Sequence, residues 1–177
     1  MTKESKPKKL NTSTMVVLAI LIAMNVVLSR FVSINAWNIK IGFTFASTFI
    51  AAYLYGPIAG IAVGGLGDLL GAILFPIGPY FPGFTLNCAL TGLVMGLLLH
   101  QKGGFGRIAI TVAIDQLFIA TFVTSLWISI LYKSPYWPIV LSRLPQVGIM
   151  IVIEFFGIYA LIKLLNNPGI KKLVRIK

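Results

Sequence analysis

Six aromatic rings, Trp37, Tyr80, Phe81, Phe84, Tyr136 and Trp137, fall in three short segments beside four cations, Arg30, Lys40, Lys133 and Arg143. The densest segment, FPIGPYFPGFT from Phe75 to Thr85, holds three prolines, two glycines, four rings and no charge. Rings braced by proline form stacking walls at small entropic cost. Cations at their rim pair with carboxylates. Asp68, Thr85, Asn87 and Gln146 lie near these segments. Amides offer both donors and acceptors, and a carboxylate accepts donors, so the set suits the edge of a nitrogen heterocycle. Together they fit a flat, aromatic, anionic solute. Each residue also has a plainer reading, as an interfacial aromatic belt with snorkelling cations or as polar glue between helices. Arg143 weighs against the plainer reading, because it lies inside the start of an apolar helix, where charge is costly.

Other chemistries find little here. There is no GxxxxGK[ST] phosphate loop, and the one histidine, His100, has no neighbouring ligands in sequence. No Ser/His/Asp set and no carboxylate pair is evident among the four acidic residues. An enzyme, a metal site and a resident cofactor are therefore not expected. Asp115 and Glu154 fall toward the opposite end of their helices from the rings, which favours structural or coupling roles. A solute site with no energy source of its own implies that other subunits supply the energy.

The elements that must hold these residues are membrane helices. The chain has 177 residues, 58% hydrophobic and 11% charged, against roughly 25% charged in soluble domains. Its apolar runs are long and unbroken, which argues for helices rather than a barrel. The reading is an all-α integral membrane protein, a bundle of six transmembrane helices. The spans run about Met15–Phe31, Gly42–Tyr55, Pro57–Phe75, Phe84–Leu99, Ile108–Leu131 and Ile139–Leu165, with Gly56-Pro57 breaking an apolar run too long for one crossing. The short second span must thin the bilayer, tilt little or shelter inside the bundle. A single membrane domain is expected, 15–165, with basic tails at 1–12 and 166–177. The basic N-terminus lacks a small-x-small cleavage site, so the first apolar run reads as a retained helix.

The net charge of +11 gathers at the chain ends, which points to a membrane surface and not to nucleic acid. Eleven of the 15 Lys and Arg residues fall on the side of the termini and four at or near the other. This bias places the N- and C-termini in the cytoplasm and the aromatic segments outside. Cys88, in an apolar run, reads as core filler. Gly60, Gly64, Gly67 and Gly71 form a stripe on the third helix, and Ala19 and Ala23 a small-xxx-small pair on the first; both allow close helix approach.

The AILIA pair, the basic N-terminus, the six spans and the stretches LSRFVSINAWNIKIGF, YGPIAGIAVGGLGDLLG and PIGPYFPGFT resemble the S components of energy-coupling-factor (ECF) vitamin transporters. The likeness covers nearly the whole chain. The span number, Ala-xxx-Ala and glycine-rich third helix mark only the superfamily; PYFPGFT, SRF and AWNIKIGF resemble the folate-specific group. The resemblance implies a multi-pass subunit of a bacterial cell membrane that captures folate from outside. It would assemble with an EcfT-like membrane coupling protein and two cytoplasmic ATPases and topple in the bilayer to deliver its cargo. Ala19 and Ala23 would pack on the coupling protein, and the first and third outward loops would be lids. The pterin and aminobenzoate would sit among Trp37, Tyr80, Phe81 and Phe84. Asp68, Asn87 or Gln146 would read the pterin edge. Arg30, Lys40 or Arg143 would meet the glutamate tail or a pterin oxygen. The rivals are an S component for riboflavin, which is uncharged, or thiamine, which is cationic; a structural subunit without a pocket; and an ion-coupled carrier.

Overall fold

The computed structural model describes residues 12–36 and 39–167. Both basic tails, apart from Thr12, Asn166 and Asn167, and Trp37 lie outside these residues. Six helices follow one another: Thr12–Val32, Thr44–Tyr55, Pro57–Leu74, Pro82–Leu99, Phe105–Tyr132 and Tyr136–Leu165. Five are long and apolar enough to cross a membrane. The second, with 12 residues, spans only about 18 Å. It shelters inside the bundle, with Phe49, Ala51 and Ala52 wholly buried. The polar stretch after the first helix is a small antiparallel hairpin, Ile34–Ala36 against Ile39–Ile41, with Ile34 opposite Ile41.

Breaks fall where backbone chemistry requires them. Gly56 has φ +93°, a left-handed conformation that only glycine adopts freely. Pro57 then takes the first position of the third helix, where its missing N–H costs nothing. Pro82 opens the fourth helix in the same way, two residues earlier than the sequence reading placed it. Thr85 therefore sits inside that helix.

The glycine stripe serves two neighbours. A Cβ on Gly60 would meet the carbonyl of Gly92, and one on Gly64 the carbonyl of Cys88. A Cβ on Gly92 or Gly96 would likewise strike Gly60 or Pro57, so the third and fourth helices touch backbone to backbone. Gly67 and Gly71 instead make room for side chains of the first helix, Asn25 and Arg30. Without a hydrophobic drive between helices in lipid, such packing and interhelical hydrogen bonds hold a bundle together. Asn25 is one such bond, its Nδ2 donating to Ser47 Oγ at 2.9 Å and to Thr48 Oγ1 at 3.0 Å.

Two stretches are wound as π-helix: Leu28–Val32 at the end of the first helix and Ile114–Val123 inside the fifth. In an α-helix every fourth residue drifts by about 40° around the axis. The wider π turn drifts the other way. The two cancel along the fifth helix, so Gln116, Ala120, Thr124, Ile128 and Tyr132 all line one cavity. Loop 101–104 and the ends of the second and sixth helices share one end of the bundle: Gln101 N donates to Tyr53 O, and Gly103 lies against Ile162. Arg30, Gly71 and the aromatic segment share the other.

Candidate functional site

At the aromatic end the first helix delivers Arg30 through its π-wound last turn. A Cβ on Gly71 would stand 2.8 Å from Arg30 Nε, so the missing side chain is what lets the arginine lie against the third helix. Arg30 Nη2 sits 3.9 Å from Asp68 Oδ1 and 3.5 Å from the Asp68 carbonyl. The other Asp68 oxygen accepts from Thr85 Oγ1 at 2.8 Å. With that proton committed, Tyr80 Oη is the donor in its 3.3 Å contact with Thr85 Oγ1. This chain ties the first helix, the third, the fourth and the proline-rich loop into one wall.

The second wall is aromatic. Phe81 meets Phe84 edge-on with centroids 5.9 Å apart, and Trp127 at 5.7 Å. Gly83 leaves space for the indole, since a Cβ there would come within 2.6 Å of it. Trp127 Nε1 donates to Asn87 Oδ1 at 3.0 Å, and Asn87 Nδ2 donates to Thr124 Oγ1 at 2.8 Å. Thr124 in turn donates to the Ile119 carbonyl at 3.0 Å, a group in the π segment. These partners fix the Asn87 amide with its oxygen toward the indole and leave it one further N–H to offer.

The sixth helix closes the site with Arg143 and Gln146, each 5% exposed and one turn apart. Together these walls enclose a cavity of about 700 Å³, open at the proline-rich loop, which supplies Pro76 to Phe81 to its rim. Arg30, Asp68 and Arg143 are its charged lining groups, so the lining carries a net positive charge and favours an anion.

Of the residues singled out in the sequence, the fold brings Arg30, Asp68, Tyr80, Phe81, Phe84, Asn87, Arg143 and Gln146 to this one cavity. Thr85 stands behind it, holding Asp68. Tyr136 and Trp137 do not join; they pair with each other at 5.5 Å, and Trp137 is 67% exposed. Trp37 lies outside the described residues, and of Lys40 only its backbone, on the second strand, is described. Cys88, read as core filler, lines the cavity. Gln116, Thr124, Trp127 and Tyr132 escaped the sequence reading. For Gln116, Thr124 and Tyr132 the signal was the four-residue spacing they share with Ala120 and Ile128, which α-helical periodicity alone does not place on one face; Trp127 lies off that series.

One expectation is corrected deeper in the bundle. The sequence showed no carboxylate pair, yet Asp115 and Glu154 meet across the fifth and sixth helices. Gln116 Nε2 donates to Glu154 Oε2 at 2.6 Å and to Asp115 Oδ2 at 3.4 Å. Thr91 donates to Asp115 Oδ1. The two acids are far apart in sequence, at positions 115 and 154, and only the helix packing joins them.

Residues 9–167 match the family described as ECF-type riboflavin transporter, S component. The chain is 31% identical over 161 residues to the folate transporter FolT of Clostridium novyi, covering 90% of this chain and 92% of that protein. FolT of Leuconostoc mesenteroides is 29% identical over 133 residues, 73% of this chain and 71% of that one. Among solved structures, FolT bound with folic acid superposes with a TM-score of 0.81 at 30% identity, covering 85% of this chain and 93% of the other.

Proposed function

The chain belongs to the S components of ECF-type transporters, and from that premise we propose that it captures folate from outside the cell. It is a multi-pass protein of a bacterial membrane and a transporter subunit, not an enzyme. As an S component it binds a vitamin and works with a membrane coupling protein and ATPases.

The observation that carries the folate reading is the meeting of two arginines with an aromatic wall and fixed amides in one cavity. Arg30 and Arg143 supply charge for a glutamate tail or a pterin oxygen. Phe81 and Phe84 supply stacking for flat rings, and Asn87 and Gln146 supply donors and acceptors for a pterin edge. An aromatic pair is worth about 0.5–1.5 kcal/mol and a charge-assisted hydrogen bond about 1.5–3 kcal/mol. Several together reach the roughly −12 kcal/mol of nanomolar binding. Two relatives named as folate transporters and the likeness to the folic acid complex support the same assignment. Riboflavin appears in the description of the matching family, but it is neutral and would leave the positive lining idle.

In this reading the termini lie in the cytoplasm and the cavity opens outward. Ala19 and Ala23 are exposed on the first helix, as residues that pack on a coupling protein must be. Calorimetric titration of the purified chain with folate, riboflavin and thiamine tests the assignment. Saturable folate binding, with the other two weaker by orders of magnitude, is expected. Tight riboflavin binding without folate binding overturns it.

A further inference from the structure

Below the large cavity lies a second, smaller one of about 110 Å³. Beside Phe45, Gly64 and Met150, its lining holds the polar residues Asn25, Ser29, Thr48, Thr91, Asp115 and Gln116. Its space suffices for several water molecules. The Ser29 hydroxyl, 2% exposed, lines this space and has no hydrogen-bond partner among the described residues. A buried hydroxyl left so points to water. Asp68, Cys88, Gln116 and Met150 line both cavities, so the small one adjoins the ligand site.

The Asp115–Glu154 pair reaches this water space through Asp115. One amide nitrogen, Gln116 Nε2, stands within hydrogen-bond distance of both acids. The two buried carboxyls thus share one donor nitrogen, with no cation among these partners. Carboxylates are acceptors only, and two negative charges crowded on one donor out of water are costly, so a proton on one of them relieves the pair. Their partners, Gln116 and Thr91, are neutral, and both acids are buried, Glu154 completely. Glu154 Oε1 has no hydrogen-bond partner among the described residues, so the pair has capacity for a second proton.

We propose that Asp115 and Glu154 form a proton site linked to ligand occupancy. The empty protein holds one proton across the pair, and an anionic ligand in the cavity above draws in a second. This rests on the folate reading, because it needs a ligand with net negative charge. The coupling is Coulombic and short-ranged, since Gln116 touches the pair and the ligand cavity at once. The charged and titratable groups of the adjoining ligand cavity are Arg30 from the first helix, Asp68 from the third, Tyr80 from the proline-rich loop, Cys88 from the fourth helix, Tyr132 from the fifth and Arg143 from the sixth. The second helix brings only the hydroxyls of Thr44 and Thr48. Asp68 already has Arg30 and Thr85 as partners. The Asp115–Glu154 pair is therefore where added negative charge is met by a proton. That proton comes from bulk water through the two cavities and turns a carboxylate into a carboxyl.

Folate titrations of the whole purified chain near pH ~7, in buffers of different ionisation enthalpy, test this; there the ligand's own carboxylates are ionised. The observed heat is expected to vary with buffer, in the direction of net proton uptake. Affinity should fall as pH rises, by up to about tenfold per pH unit for a full proton. Glu154→Gln and Asp115→Asn are expected to bind folate without the buffer dependence. A folate-induced infrared band of protonated carboxyl, read on the wild-type chain, serves where those variants do not fold. Folate binding with identical heat in every buffer and no such band overturns this inference alone. Buffer dependence surviving in both variants overturns it too. No folate binding by the wild-type chain overturns the proposed function, and this inference with it.

Discussion

Gly71→Ala separates the placement of Arg30 from the stability of the fold. The added methyl would stand 2.8 Å from Arg30 Nε. Contact distances of about 3.5–4.0 Å require the guanidinium to retreat by close to an ångström. The obstacle is the end of a flexible side chain, not backbone, so the helices need not part. Alanine also favours the helix over glycine by about 0.5–1 kcal/mol. Thermal stability in detergent should hold or rise slightly. The arginine, however, loses its place beside Asp68 and its reach into the cavity. One charge-assisted hydrogen bond is worth about 1.5–3 kcal/mol, which corresponds to about a tenfold to 150-fold rise in the folate Kd. Gly65→Ala is the control, on the same helix: its methyl would meet Ala89 Cβ at 3.5 Å, an ordinary contact, and leave affinity unchanged. Titration calorimetry and thermal melts on both variants read the contrast. Wild-type folate affinity in Gly71→Ala would refute the idea that Arg30 meets the ligand from this position.

Gly92→Ala drives a methyl into the carbonyl of Gly60 and should lower stability by about 1–3 kcal/mol, seen as a reduced melting temperature. Trp127→Phe keeps a ring against Phe81 but deletes the donor to Asn87 Oδ1. Losing about 0.5–1.5 kcal/mol of orientation should weaken folate binding by roughly twofold to twelvefold, measured by titration. Arg143→Ala removes a 5% exposed cation of the lining and should raise the folate Kd by at least tenfold or so. Ala23→Leu enlarges an exposed small residue. Folate binding should stay intact while co-purification with the coupling protein and ATP-driven uptake are lost.

The helices were legible because their signals are local. Long apolar runs, Gly56-Pro57 and the proline-rich segment marked five of the connections between helices or their ends within a few residues. The hairpin after the first helix was not, since three-residue strands leave no periodicity to read. The ring-and-cation set was legible in part. Phe81 and Phe84 stand out by the prolines around them and Arg143 by its charge in an apolar run, and the three line one cavity. Tyr136 and Trp137 carry the same ring chemistry yet pair off outside the cavity, because they open the sixth helix and type alone does not tell which way a ring on that first turn faces. The lining of the fifth helix was hidden by its π winding, which shifts Gln116 and Thr124 onto a face that a 3.6-residue period does not predict. The Asp115–Glu154 contact depends on how two distant helices cross, and nothing near either residue announces it.

The backbone contact between the third and fourth helices bears on how this scaffold can vary. Where Gly60 meets Gly92 and Gly64 meets Cys88, no atom can be added without prying the pair apart, so that half of the vestibule is a fixed template. The fifth helix, wound loosely across its middle, and the sixth, which carries Pro145 between Arg143 and Gln146 and so lacks one backbone donor there, form the compliant half. A lineage that exchanges one cargo for another would write the change there, and leave the glycine-backed half as it stands.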